Sequence, residues 1–249
     1  MLDPAFLDRP IAHRALHDIT DGRPENSRAA ILAAINAGYG IEIDLQLSSD
    51  GVAMVFHDYT LDRLTHDRGP LAMRTATELG ATGLKGGAEG IPTLAEVLTL
   101  VAGRVPLLIE IKDQDGQMGP NVGPLERAVA LDLRGYSGPF ALMSFNPHSI
   151  ATMAELMPDA ARGLTTCGWA TNDWPHIPPR ILDQLRPLND YARVGASFIS
   201  HDHHDLGSVH VARLSAQGAA ILTWTIKSPE QEAQARKVAQ NITFEGYLA

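Results

Sequence analysis

The stretch Ile41-Glu42-Ile43-Asp44-Leu45 sets two acidic residues two apart, each flanked by apolar residues, and Leu108-Ile109-Glu110-Ile111-Lys112 repeats the pattern downstream. Side chains alternate faces along a β-strand, so Glu42 and Asp44 share one face, as do Glu110 and Lys112. If the opposite face is the apolar one, these charges project together into whatever the strands enclose. Three carboxylates and an ammonium gathered at strand ends are costly to desolvate without a cation or an anionic ligand. The same alternation also suits a half-exposed antiparallel sheet with its charges in water. Two such strands, each preceded by a Gly or Pro turn signal and followed by a polar loop, favour a site.

Around them the chain alternates short apolar runs with longer stretches of helical period, separated by Gly, Pro or Asn. That is the pattern of βα units on parallel strands. Strands are expected at 10–13, 39–47, 105–111, 140–144, 161–165, 196–200, 220–225 and 242–244. Residues 52–56 follow a Ser49-Asp50-Gly51 turn and should fold back on the second strand as a hairpin. Asn26 or Ser27 caps a helix that Gly38 stops, Thr93 caps one over 94–101, and Pro147 opens one over 147–156. Further helices are expected at 125–133, 181–188, 209–217 and 229–239. Residues 58–92 have little sustained period and read as an excursion without a core of its own.

Eight strands of parallel type in this length predict an α/β fold, a (β/α)8 TIM barrel with a small insertion after strand two. The expectation is a single domain over 1–249 with the insertion at about 58–92. A doubly wound open sheet competes, but no Gly-x-Gly-x-x-Gly follows the first strand. In a barrel the active site lies at the C-terminal strand ends, where His13, Glu42, Asp44, Glu110, Lys112, Ser144 and Trp224 fall.

The bulk properties set limits. A chain of 249 residues can bury a substantial core. A net charge of −9 argues against nonspecific binding to nucleic acid or an anionic membrane. It still admits an anionic substrate where a metal or an Arg/Lys cluster reverses the local sign. The single cysteine, Cys167, excludes an intramolecular disulfide and a multi-cysteine metal site, and a packing role is expected. No apolar run of signal-peptide length opens the chain and no 18-residue apolar stretch occurs, so a cytoplasmic protein without stable membrane insertion is expected.

His13-Arg14, Pro24-Glu25-Asn26-Ser27, Ile41-Glu42-Ile43-Asp44, Asp50-Gly51, His57-Asp58 and Ile109-Glu110-Ile111-Lys112, in that order, resemble the glycerophosphodiester phosphodiesterase family. Ser144-Phe145 and Trp224-Thr225 extend the resemblance over nearly the whole chain. It implies a metal-dependent barrel that splits a glycerophosphodiester into glycerol phosphate and an alcohol. On that resemblance Glu42, Asp44 and Glu110 match the metal ligands, and His13 and His57 the acid–base pair. Arg14 and Lys112 match positions that hold the phosphate.

The residue chemistry agrees. An all-carboxylate set suits one hard divalent ion, Mg2+, Ca2+ or Mn2+, rather than zinc. Arg14 offers a forked donor to a phosphate, and imidazoles titrate near neutrality, as proton transfer requires. Which histidine is base stays open, as does whether water or a substrate hydroxyl attacks. Two departures stand out: Ala15 replaces the usual glycine, with nine residues from Ala15 to Arg23 before Pro24, and Asn241–Gly246 replaces a Thr-Asp-x-Pro-like closing motif. His17 or Asp18 could therefore enter the phosphate mouth, and last-loop contacts should differ.

Blander candidates remain. His201-Asp202-His203-His204-Asp205 is read as a polar rim ahead of a metal site. Trp224 is equally a wall against the substrate or barrel packing, and Trp169 and Trp174 are equally a substrate pocket or loop anchors. The expected activity is metal-dependent hydrolysis of a small-molecule glycerophosphodiester, with no nucleic-acid partner and no oligomeric state implied. The alternatives are a phospholipase D-like activity on lysophospholipid or another phosphodiester, and a non-catalytic ligand-binding barrel.

Overall fold

The protein is described by a computed structural model covering residues 1–249. Its nine strands are β1 (Ile11–Ala12), β2 (Gly40–Leu47), β3 (Ala53–Val55), β4 (Leu107–Ile111), β5 (Phe140–Ser144), β6 (Ala161–Thr166), β7 (Phe198–Asp202), β8 (Ala220–Ile226) and β9 (Asn241–Phe244). β3 pairs antiparallel with β2, closing the expected hairpin. The other eight run parallel, and β1 pairs with both β2 and β9, so the sheet closes into a (β/α)8 barrel.

Its helices are α1 (Ala5–Asp8), α2 (Arg28–Ala37), α3 (Ala76–Ala81), α4 (Leu94–Val101), α5 (Pro124–Asp132), α6 (Pro147–Leu156), α7 (Pro179–Leu185), α8 (Asp190–Arg193), α9 (Val209–Ala216) and α10 (Pro229–Ala235). Local chemistry accounts for most ends. Ser27 Oγ accepts from the Ala30 amide, Gly38 takes the left-handed conformation after α2, and Thr93 with Glu96 forms a capping box on α4.

Alternation divides the strand residues between two layers. Ile41, Ile43, Leu45, Ile109 and Ile111 face outward into a cluster of 39 buried residues shared with the helices. The wet-sheet alternative fails because both faces of β2 are covered. Inside the barrel, the N-terminal half is apolar: Ile11, Leu108, Ala141, Met143, Phe198 and Leu222 pack around Phe6 of α1, which plugs that end. Asn241 Nδ2 holds the plug by donating to the carbonyls of Phe6 and Arg9. Gly163 is required there, since a Cβ would lie 2.5 Å from the Phe198 ring. The C-terminal half of the interior is left to polar groups.

The segment between β3 and α4 carries apolar packing that its sequence pattern does not show. Leu61, Leu71, Leu79, Leu84 and Ile91 form an apolar cluster with Met54 and Phe56, so this segment has a small core that it shares with the hairpin. Its five apolar residues are spaced irregularly, which is why no period betrays them. No helix is long and apolar enough to cross a membrane.

Candidate active site

β2 and β4 lie in register, with Asp44 beside Glu110 and Glu42 beside Leu108, so the carboxylates of the two strands project together above the apolar plug. Glu42, Asp44 and Glu110 are at most 5% exposed, and each offers an oxygen within 4.8 Å of the others. Lys112 Nζ lies 2.7 Å from Asp44 Oδ1 and 2.5 Å from Glu110 Oε1. Arg14 donates from Nη1 to Glu25 at 2.8 Å, with its Nε 3.6 Å from Asp44. Its backbone amide donates to Glu42 Oε2 at 2.8 Å. Asn26 Nδ2 donates to Asp44 Oδ2 at 2.9 Å.

The charges are unevenly balanced. Burial opposes ionisation of Asp44, yet Lys112, His57 and Arg14 hold its carboxyl well below the usual range. Burial, and then the charges of Asp44 and Glu110, push the Glu42 carboxyl well above it. An oxygen-only cluster with one carboxylate lacking compensation fits a hard divalent cation.

Both histidines reach the same cavity, each through a carboxylate. His13 Nδ1 is 2.6 Å from Glu245 Oε2, and His57 Nδ1 is 2.7 Å from Asp58 Oδ1. No protein hydrogen bond engages Nε2 of either ring, so that nitrogen is left for a ligand. Burial pushes the His13 imidazole below its ordinary value, against the pull of Glu245. The bond to His13, with His17 3.6 Å away and Lys227 Nζ at 2.8 Å, holds the Glu245 carboxyl well below its own. Asp58 and Glu25 are bridged by Arg63, which donates to both from the segment between β3 and α4. The network therefore runs from His57 through Asp58, Arg63 and Glu25 to Arg14.

His13, Arg14, Glu42, Asp44, His57, Glu110, Lys112 and Trp224 all line one cavity of about 100 Å3, so the eight expected site residues meet. Trp224 lines the cavity, packs against Phe145 at 5.6 Å and donates from Nε1 to the Ser200 carbonyl. The floor adds Thr165, Ser200 and Thr243, whose hydroxyls are buried and have no partner in the protein. A buried hydroxyl left unpaired costs about 1–3 kcal/mol, so three in one cavity mark a place where a polar ligand supplies the partners.

Other expectations move. Ser144 donates to the Ile111 carbonyl and stays outside the cavity. His17 and Asp18 line a separate cavity of about 540 Å3 behind Glu245. Trp169 is buried as an anchor, whereas Trp174 is half-buried and lines a cavity beside the site. His201 is tied by Thr166 and Asp205, and Asp202 binds His204, with Asp202, His203 and His204 each offering an atom within 4.8 Å of the others outside the catalytic cavity. Cys167 is buried with its thiol pushed up to about 11 by burial, as a packing residue. A cavity of about 850 Å3 lies at the opposite end of the barrel and holds none of these groups.

Glu245, Arg63 and the three floor hydroxyls were not expected from sequence. Glu245 had a visible signal as an acidic residue just past the last strand, and Thr165, Ser200 and Thr243 occupy inward positions of their strands. Nothing local marks Arg63.

A barrel mouth that gathers this much charge around paired imidazoles is equipped to break phosphate esters, and the sequence relatives agree on that class: this is a phosphoric diester hydrolase. The chain belongs to the glycerophosphoryl diester phosphodiesterase family, whose family model matches residues 13–241. It is 33% identical over 168 residues to a glycerophosphodiester phosphodiesterase of Caldanaerobacter subterraneus subsp. tengcongensis, covering 64% of this chain and 67% of that one. Against the YhdW protein of Bacillus subtilis it is 26% identical over 233 residues, 90% of this chain and 88% of the other. A phosphodiesterase of Oleispira antarctica, solved with the product sn-glycerol-3-phosphate, shares the fold with a TM-score of 0.77 at 23% identity, covering 97% of this chain and 94% of that one.

Proposed function

We propose that this protein hydrolyses glycerophosphodiesters to glycerol phosphate and an alcohol, using one divalent cation and His13 and His57 as base and acid. The observation that carries the reading is the meeting, in one cavity, of a buried carboxylate trio, two carboxylate-held imidazoles, Arg14 and Lys112. Glu42, Asp44 and Glu110 would hold the ion, which supplies polarisation of a phosphoryl oxygen when bound. Arg14 and Lys112 are the cations available to neutralise the phosphate.

His13 is assigned as base because burial favours its neutral form, which accepts a proton at Nε2. His57 then donates a proton to the departing alkoxide. The glycerol end belongs on the floor formed by Thr165, Ser200 and Thr243. The polyol hydroxyls would pair with theirs, which have no partner in the protein.

The reading is tested by incubating the protein with glycerophosphocholine, glycerophosphoethanolamine and glycerophosphoglycerol, with Mg2+, Ca2+ or Mn2+ or with EDTA, and measuring glycerol phosphate. Ion-dependent release is expected. Absence of turnover of every diester with every ion would overturn it.

A further inference from the structure

This inference rests on the diesterase reading and extends it to the leaving alcohol. A cavity of about 450 Å3 opens beside the catalytic one and shares His57, Glu110, Lys112 and Phe145 with it. The two run together at the reacting groups, so an ester arm that leaves the catalytic cavity on the His57 side enters this second space. Its other walls include Tyr59, Met118 and Trp174.

The walls are preformed. Trp174 lies with its ring 5.3 Å from that of Phe145 and 4.9 Å from that of buried Trp169. The Tyr59 hydroxyl donates to the Asp113 carbonyl at 2.6 Å, and the Met118 amide donates to Asp113 Oδ2 at 2.7 Å. A cage already held in place spends little ordering entropy on its ligand.

The charge pattern is specific as well. Asp58 and Asp113 line the cavity, and Lys112 is its only lysine or arginine. Its ammonium sits between Asp44 and Glu110, on the side of the catalytic cavity where the phosphate is placed. Asp58 is bonded by His57 and Arg63, and Asp113 by Asn146 and the Met118 amide, so what the space offers an incoming group is chiefly aromatic rings and a thioether in an acidic surround. Aromatic faces carry negative charge density and attract a cation, most strongly where water is displaced. An anionic alcohol meets repulsion here, and a polyol finds few donors along Met118, Phe145 and Trp174.

We propose that this cavity seats the leaving alcohol and selects one bearing a methylated ammonium, as choline does, over uncharged or anionic alcohols. The test compares kcat/KM for glycerophosphocholine, its uncharged 3,3-dimethylbutyl isostere and glycerophosphoglycerol, in the wild type and in Trp174→Leu and Tyr59→Leu.

The choline ester is expected to exceed its isostere by about tenfold. Its advantage over glycerophosphoglycerol should fall severalfold in both variants. Each ratio is taken within one preparation, so partial misfolding of a variant cancels. Equal handling of the choline ester and its isostere overturns the inference, as do ratios that neither variant moves. A preference for the isostere would assign the cavity to an aliphatic chain instead. Failure of the wild type to cleave any diester overturns the diesterase reading itself and this inference with it; turnover without discrimination overturns this inference alone.

Discussion

A carboxylate 2.6 Å from Nδ1 of His13 holds that ring and raises its affinity for a proton, while burial lowers it. A base works only when unprotonated, so on the proposed assignment activity should climb as pH passes the His13 pKa. Glu245→Gln keeps the shape and removes the charge that raises this pKa. The acidic limb of the kcat/KM profile should therefore move to lower pH, and kcat should fall about 10–100-fold, as when other partners that orient a histidine are lost. A pH–rate profile of the variant checks both, and an unmoved acidic limb would reject His13 as base. In sequence Glu245 stood out only as part of a changed closing motif, because its partner lies 232 positions away. Ala15 is clearer in hindsight: its φ of 64° lies in the region glycine favours, which explains why a glycine is usual there.

At the scale of elements, α4 ends on Ala102, with φ 47° and ψ 37°, its amide donating to the Leu98 carbonyl. Alanine pays about 1–2 kcal/mol for that left-handed conformation, against about 0.5–1 kcal/mol of extra chain entropy for glycine. Ala102 is exposed, so no packing is lost. Ala102→Gly should stabilise by about 0.5–1 kcal/mol and raise Tm by about 1–4 °C in a calorimetric scan. Where elements carry such local punctuation their limits were readable: α6 spans Pro147–Leu156 and β5 spans Phe140–Ser144, both as expected. Where tertiary pairing decides, they shifted. β7 runs Phe198–Asp202, two residues beyond the expected span, because its pairing with β6 begins at Gly163 and Phe198. The helix after Pro178 starts at Pro179 and stops at Leu185, with Leu188 at φ 55°. α1, four residues long, is too short to show a period.

At the scale of the molecule, three crowded carboxylates at the barrel mouth are a load on the fold that the proposed cation would relieve. A ligand that binds only the folded state at a hundredfold excess over its Kd adds about 2.7 kcal/mol, or roughly 5–10 °C in Tm for a chain of this size. Mn2+ or Mg2+ should raise Tm on that scale in a thermal melt, and EDTA should reverse it. Glu42→Gln, which removes one carboxylate, should melt at or above the ion-free wild type and lose the rise. A Tm indifferent to every divalent ion would remove the cation from the reading. Period, turn residues and caps are local properties, so the sequence by itself determined the eight parallel strands, the hairpin and the face on which Glu42, Asp44, Glu110 and Lys112 lie. Distances between segments remote in the chain depend on closure of the barrel. Only the tertiary structure decided that Glu245 reaches His13, that Arg63 joins Asp58 to Glu25, and that Thr165, Ser200 and Thr243 floor one cavity.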